Sequence, residues 1–478
     1  MIIAELNLEN LPEEWIWVNF EEIVENLDGQ RVPVSRTERD KRDGQFPYYG
    51  ASGIIDSIDK YLFDGDYLLI AEDGANLLSR STPIAFEAHG KFWVNNHAHI
   101  IQCRQNAVPL KYLRYYLNSI DLTPYVSGSA QPKLNQKNLN RVPIPLPPVN
   151  EQRRIVEKVE ALTTRSRKAR AALDEIPALL DQFRQSVLAA AFRGDLTADW
   201  RAQNPNVEPA EALLERNFVS KQNPKQVFQE IGRLVEILPQ GWTWTKLKTI
   251  IPHIQAGKNF SCPEVPVSDD TVGMVKISAV TWGRFNPRET KTVADESKID
   301  PNLFIRSGDF LISRANTAEL VGASVIVDDI QHRIMLSDKV WRVDFVNEID
   351  KRYINLFLKS SYGRKEIESR ATGNQLSMKN ISQKLFQDIV IPLPPYQEQK
   401  AIADEIERLF HSSEKVKQQR YDTEIELAQL DQSILAKAFR GELVPQDPND
   451  EPAAVLLDRI RAEREQLSSG KKRGKAKA

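Results

Sequence analysis

Ile144-Pro145-Leu146-Pro147-Pro148 and Ile391-Pro392-Leu393-Pro394-Pro395 are one five-residue string met twice. Each copy opens a long helical pattern that closes on Ala-Phe-Arg-Gly, at 191–194 and again at 438–441. The offset, 391 − 144 = 247, holds without a gap through Glu151-Gln152/Glu398-Gln399 and Ser186/Ser433. The two arms are therefore equal in length. A chain repeated in this way predicts two like modules on matched rods, an architecture better suited to setting a distance than to performing chemistry.

Upstream of these strings, Pro12-Glu13-Glu14-Trp15-Ile16-Trp17 is echoed by Pro239-Gln240-Gly241-Trp242-Thr243-Trp244 at 239 − 12 = 227. The second module is thus 247 − 227 = 20 residues longer than the first. Between these openings and the proline strings lie short β-like runs, such as Tyr67-Leu68-Leu69-Ile70 and Phe310-Leu311-Ile312, each following a Gly-Asp pair. Short helices are expected from Tyr112 to Leu117 and from Tyr353 to Leu358. Both modules read as mixed α and β.

After each proline string the apolar period becomes about 3.5, as in a heptad seam. The first rod places Ile155, Val159, Leu162, Ser166, Ala169, Leu173, Ile176, Leu180, Phe183 and Val187 on it. The second places Ile402, Ile406, Leu409, Ser413, Val416, Arg420, Thr423, Leu427, Leu430 and Ile434 at the same steps. From Asn150 to Phe192 an unbroken helix would run ~60 Å at 1.5 Å per residue. Its natural partner is the other rod, antiparallel if the modules are related by a pseudo-twofold. Pro177 should kink the first rod or begin a new segment, because it removes a helix hydrogen bond. Further helices are expected after Glu208-Pro209-Ala210 and Glu451-Pro452-Ala453. Residues 221–238 read as a linker, and 467–478 as a basic tail unlikely to fold.

With 478 residues, two globular domains plus extra helix are expected. Cys103 and Cys262 sit in different halves with no metal-ligand spacing, which argues against a disulfide framework and fits a reducing cytoplasm. No signal segment and no apolar run of membrane-spanning length is visible. A formal charge of −2 gives no bulk attraction to phosphate, so any grip on DNA calls for help from a partner.

No catalytic constellation is present. Adenine methylation would need an Asp/Asn-Pro-Pro-aromatic string, and Asp300-Pro301-Asn302 and Asp447-Pro448-Asn449 lack its second half. Glycine-rich nucleotide loops are missing too. His97 and His99 read as structural, since no acidic or cysteine partner is spaced to complete a metal site. Polar loop clusters remain as candidate readers of a nucleic acid. Arg36, Arg39, Lys41, Arg42, Gln45, Tyr48, Tyr49 and Ser52 form the first, where guanidinium, amide and hydroxyl groups can meet phosphates and base edges. The alternative is a solvated charged loop. Ser129, Gln131, Lys133 and Asn135 follow Gly128, and Gln375, Ser377, Lys379 and Asn380 follow Gly373, at nearly the same distance before each proline string. Against a reading role stands a polar turn that caps the next helix. Ser313, Arg314, Asn316 and Thr317 form a further cluster, and Lys258 is one more candidate. The first-half counterpart of that cluster, Glu72-Asp73-Gly74-Ala75-Asn76, is acidic and reads as a cytosine contact or a plain turn.

The repeated Ile-Pro-Leu-Pro-Pro-x-x-Glu-Gln string, the heptad rods and the Ala-Phe-Arg-Gly ends together resemble the DNA specificity subunit of type I restriction-modification systems, nearly end to end. The resemblance implies an α+β chain: target-recognition domains at 1–149 and 239–396, a central helical region at 150–220 and a distal one at 397–466. Two long antiparallel coiled-coil helices would separate the domains in a pseudo-twofold internal repeat. It implies double-stranded DNA as ligand, two modification subunits carrying S-adenosylmethionine, and restriction subunits using ATP and Mg, with no cofactor bound by this chain and no membrane. The chain itself would be non-catalytic. Two other readings stand beside it: a structural coiled-coil adaptor without DNA readout, and an enzyme whose modules methylate by themselves.

Overall fold

The computed structural model describes residues 11–104, 108–128, 130–217, 238–375 and 378–475. The expected linker at 221–238 lies outside them apart from Leu238. Two compact units emerge, Met1–Asp174 with Arg420–Ala478, and Glu175–Gln419. Each therefore joins one module to part of both long helices, and the helical regions expected at 150–220 and 397–466 are divided between the units rather than standing apart from them.

In the first unit a six-stranded sheet runs in the order Val24–Asn26, Ala98–Cys103, Phe63–Ala71, Ala85–Val94, Phe46–Gly50, Gly53–Ile58. In the second, a four-stranded sheet runs His253–Ala256, Val340–Asp344, Phe310–Ser313, Ser324–Ile326. The first four strands of one correspond in order to the four strands of the other. What differs is the insert that follows the first of these strands. In the first module it adds the hairpin Phe46–Gly50/Gly53–Ile58 to the sheet edge. In the second it supplies Val272–Val275 and Thr290–Thr292 to a separate sheet with Arg333–Met335 and its own apolar core. A common core with unlike inserts is where the extra length of the second module goes. The expected helices are present as Leu110–Ser119 and Lys351–Lys359.

The repeated strings meet each module's opening in space. Ile16–Asn19 pairs antiparallel with Pro143–Leu146, and Thr243–Lys246 with Val390–Leu393, so each opening strand closes on its proline string. Proline is tolerated there because each of these sheets has only two strands, both of them edges. Tyr112 Oη donates to Pro145 O and Tyr353 Oη to Pro392 O, both at 2.6 Å. The Glu-Gln pair completes the latch. Trp15 Nε1 donates to Glu151 at 2.9 Å and Trp242 Nε1 to Glu398 at 2.8 Å. Gln152 and Gln399 donate back to Pro147 O and Pro394 O. All four acidic and amide side chains are buried, and their bonds are met inside the protein except at Gln152 Oε1, which has no partner.

The two latches differ at the amide oxygen, which accepts from Asp350 N in Gln399 but not in Gln152, and in what faces the acid. Glu398 also accepts from Thr197 Oγ1 at 2.8 Å and faces the Arg201 guanidinium at 3.1 Å. Glu151 instead accepts from neutral Gln446 at 2.6 Å, and burial pushes its carboxyl up despite the bonds from Trp15 and Gln446.

The Ala-Phe-Arg-Gly ends act at a distance in sequence. Phe439, fully buried, meets Tyr112 and Tyr116 edge-on at centroid distances of 5.4 and 5.0 Å. Phe192 meets Tyr353 and Phe357 at 5.4 and 5.3 Å. So the end of the second long helix plugs the first module, and the end of the first plugs the second. Gly441 (φ +75°) and Gly194 (φ +82°) end these helices in the left-handed region, and a Cβ on either would stand 2.4 Å from Pro12 or Pro239. Only glycine fits both the turn and the approach. The helices starting at Ala210 and Ala453 dock on the same openings, their amides donating to Gly241 O and Glu14 O.

The long helices are Val149–Arg193 and Tyr396–Phe439. In the first unit Ile155, Val156 and Val159 share a core with Ile434, Ala438 and Phe439, and Arg170 pairs with Asp431 at 2.7 Å. In the second unit Val187, Leu188, Ala191 and Phe192 share a core with Ile402, Ala403 and Ile406, and Arg184 pairs with Glu414. Seam residues away from the modules are less covered than the heptad pattern implies: Phe183, Val416 and Leu430 are 40%, 40% and 51% exposed. Two helices without a third neighbour leave part of the apolar stripe uncovered. The first helix runs through Pro177, so no new segment begins there. Leu173 O, which the proline leaves without an amide donor, accepts from Arg420 Nε at 2.8 Å. The last helix, Ala453–Lys475, carries the basic stretch expected to stay unfolded into helix as far as Lys475, in keeping with the helix propensity of its Lys, Arg and Ala residues.

Candidate nucleic-acid interface

In the first cluster of the first module, Ser35 caps the helix Arg36–Arg39 by accepting from the Glu38 amide. Arg39 turns inward, donating to Asp56 at 2.8 Å and to Val34 O at 2.7 Å, with its guanidinium 4.6 Å from the Tyr48 ring centre. The bond to Asp56 raises the arginine pKa and holds the carboxyl below its ordinary range. Arg42 pairs with Asp59 at 2.8 Å and lies over Trp93. Tyr48 is fully buried with its hydroxyl against Val34, and Tyr49 packs on Phe86 and Phe92. Arg39, Arg42, Tyr48 and Tyr49, expected to reach DNA, thus hold the inserted hairpin to the sheet. A two-stranded edge addition needs that side-chain packing to be stable. Arg36, Lys41, Gln45 and Ser52 stay exposed.

The second cluster is tied to the sheet by a buried ion network. Lys133 bridges both Asp73 and Ser127 in the backbone, and its ammonium lies 3.1 Å from Glu72. Glu72 also takes Arg31 at 2.6 Å. His99 Nδ1 stands 2.5 Å from Asp28, and its Nε2 donates to Leu134 O at 2.7 Å. Burial raises the carboxyl pKa of Asp28 and of Glu72, but His99 bonded to Asp28 and Arg31 bonded to Glu72 outweigh it, and both end below the ordinary range. Asp28, Glu72 and His99 place potential ligand atoms within 4.8 Å of one another, so acids do converge on His99 although no sequence spacing announced them. Arg31 and Lys133 already bring positive charge to Glu72, and the group anchors the backbone at Lys133, which bridges to Ser127 and Asp73. The cytosine contact considered for this acidic stretch is therefore not available to Glu72; Asp73 in turn pairs with His97 at 2.8 Å. Asn135 caps the helix Gln136–Leu139 by accepting from Asn138 N at 3.0 Å, the turn-capping alternative. Its repeat equivalent at 135 + 247 = 382 is Ser382, which caps Gln383–Gln387 in the same way. Gln131 is exposed; Ser129 lies outside the described residues.

In the second module two clusters far apart in sequence come together. Ala315–Asn316 pairs with Met378–Asn380, which pairs with Thr372–Gln375. Lys379 Nζ reaches Gly373 O at 2.7 Å. Ser313, expected to read DNA, is fully buried in a central strand whose four residues are all buried. Arg314 is half-buried, its backbone bonding to Lys339 and Ile381; Lys258 is paired with Asp300 at 3.2 Å. Thr317 is exposed; Ser377 lies outside the described residues. Asn316 Nδ2 donates to Thr281 Oγ1 at 3.2 Å. That contact brings in Trp282, 75% exposed, which is absent from the sequence expectations although a lone tryptophan before Gly283 in a polar stretch is a usable signal. The Gly283 carbonyl behind it accepts from Lys359, whose ammonium burial pushes down to about 8.

Two modules with one core, one latch and unlike polar faces match what comparison with known proteins finds. Residues 12–177 and 276–425 match the family described as the type I restriction modification DNA specificity domain. The chain belongs to this family. It is 26% identical over 484 residues to the type I restriction enzyme EcoDI specificity subunit of Escherichia coli, covering 98% of this chain and 99% of that one. It is 29% identical over 366 residues to the EcoKI specificity subunit of Escherichia coli K12, covering 74% and 70%. In fold it resembles the HsdS subunit from Thermoanaerobacter tengcongensis, with a TM-score of 0.55 at 21% identity over 91% of this chain and 98% of that one. A second solved chain, from work on complex assembly and conformational transition of the type I R-M system, gives 0.58 at 21% identity over 91% and 100%. The first match spans both latch strands and the start of its long helix; the second, beginning at 276, holds the proline-string strand and the start of its helix but not the opening strand. Among the described residues no helix is long and apolar enough to cross a membrane.

Proposed function

We propose that this chain is the sequence-reading subunit of a type I restriction-modification complex. Each module reads one half of a split, asymmetric DNA target, and partner subunits methylate adenine or cleave. The observation that carries this reading is the shared four-strand core with different inserts: one scaffold, two unlike reading faces. Exposed Arg36, Lys41, Gln45, Ser52, Gln131, Lys133, Thr317 and Trp282 are the side chains offered to the duplex, with Asn316, Lys379 and Asn380 on the second module's small sheet. The chain is non-catalytic, and S-adenosylmethionine, ATP and Mg belong to the modification and restriction partners. An adaptor without DNA readout would have no use for two different faces. Exchanging residues 12–143 for those of another family member, in the complex with modification subunits, should change one half of the methylated sequence and leave the other. A change in both halves, seen by mapping methylated adenines, would refute the division.

The long helices act as an antiparallel coiled coil that sets the gap between half-sites, the modules being related by a pseudo-twofold. Antiparallel pairing of Arg170 with Asp431 and of Arg184 with Glu414 supports this, as does the constant repeat of 247. Inserting one heptad after Ser166 and one before Ser433 keeps the pairing on either side in register. Seven residues add roughly 10 Å, about three base pairs. The spacer in the methylated target should grow by that amount with both half-sites unchanged; an unaltered spacer would remove the ruler.

A further inference from the structure

At the repeat offset of 247, Leu173 corresponds to Arg420 and Pro177 to Glu424. The two copies are chemically unlike at both positions, and the differences complement one another. Pro177 has no amide, so Leu173 O, four residues earlier, loses its helix donor. Arg420 Nε supplies one from the other helix at 2.8 Å, while its Nη2 lies 2.7 Å from Glu424 and 3.5 Å from Asp174. An arginine on an apolar seam is costly unless its donors are met, and these contacts meet them. A slip of one heptad would bring Ser413 or Leu427 opposite Leu173 in place of Arg420. Serine is too short to span to the neighbouring backbone, and leucine has nothing to donate. Only in the observed register is the orphaned carbonyl met from the other helix; in a slipped one it is left to solvent.

We infer that Arg420 is a positioning residue: it replaces the amide that Pro177 lacks, and so locks the register of the two long helices and the spacer length the complex accepts. The second part rests on the ruler reading above. The role is that of a partly buried polar group on the seam which selects one pairing over its neighbours at some expense in stability.

The test is a double-mutant cycle on the full-length chain with Pro177→Ala and Arg420→Met. In the parent, Arg420→Met should lower the melting transition by about 5 °C, the loss of one charge-assisted hydrogen bond in a chain of this size. In the Pro177→Ala background the restored amide bonds to Leu173 O, and the same change should be neutral or raise the transition. Equal losses in both backgrounds would overturn the assignment. If Arg420→Met alone fails to fold, the double variant should still fold; its failure would equally overturn it. With modification subunits added, methylation of a duplex library of varied spacers distinguishes positioning from mere stabilisation. Parent protein should accept one spacer. The double variant, its helices still plugged at both ends by Phe439 and Phe192 but no longer pinned mid-seam, should also accept a spacer one base pair longer or shorter, at roughly a tenth or more of the native rate. A single unchanged spacer would sink the positioning role. Failure of the ruler itself would show in the heptad insertion and leave the melting cycle intact, so the two are separable.

Discussion

Phe439→Ala should loosen the first module and Phe192→Ala the second, each by about 3–5 kcal/mol, the usual cost of emptying a buried phenylalanine site. At about 2–4 °C per kcal/mol for a unit of this size, the melting transition should drop by roughly 10 °C. Each ring sits edge-on between two aromatic side chains of a module helix, Tyr112 and Tyr116 or Tyr353 and Phe357. Edge-to-face contacts of this kind add to the burial. Where the damage falls is the sharper part of the expectation. Phe439 follows the second module in the chain but packs in the first, so hydrogen exchange should rise in Leu110–Ser119 and in the paired strands Ile16–Asn19 and Pro143–Leu146. Lys351–Lys359 should stay protected. Faster exchange in the preceding module instead would show that the plug is misassigned.

The two latch glutamates should respond differently to the same substitution. Glu398 faces only donors: Trp242 Nε1, Thr197 Oγ1 and the Arg201 guanidinium. Tryptophan and arginine cannot accept, so the amide introduced by Glu398→Gln would press one donor against another with no rearrangement to relieve it. Glu398→Gln should therefore approach Glu398→Ala in cost, about 2–3 kcal/mol, since either strips the partly buried Arg201 of its counter-charge. Glu151 faces Trp15 and Gln446, and a glutamine amide is reversible: turned over, Gln446 presents its oxygen to the new amide and gives up only its solvent-exposed bond to Gly441 O at 3.1 Å. Burial already disfavours the Glu151 charge. Glu151→Gln should cost about 1 kcal/mol or less, close to the net worth of one neutral hydrogen bond. Thermal or urea unfolding of the paired variants decides the matter, and equal losses at both positions would mean that Arg201 contributes nothing to its latch.

Much of the candidate site could not be read from the chain. Tyr48 and Ser313 lie in strands of five and four residues, too short for their sequence to say which side chains the sheet will cover. The Asp28/Glu72/His99 network joins positions 99 − 28 = 71 and 99 − 72 = 27 residues apart, spacings that carry no pattern. Asn135 was legible as a cap, because capping is a local bond between a side chain and an amide three residues on. Lys133 looked like a free cation and is half engaged by Glu72, while Trp282, unanticipated, is 75% exposed.

By itself the sequence determined the duplication, the equal arms of 247, the unequal modules, the helical rods and the residues that end them, since periodicity, proline and glycine act within a few residues. It also held every member of the latch without saying that they touch. Tertiary structure decided that Trp15 meets Glu151, that each rod's end plugs the other half's module, and that Arg420 serves the carbonyl left bare by Pro177. Those choices follow from the need to bury aromatic rings and to satisfy each buried donor and acceptor, conditions that only the folded chain as a whole can meet.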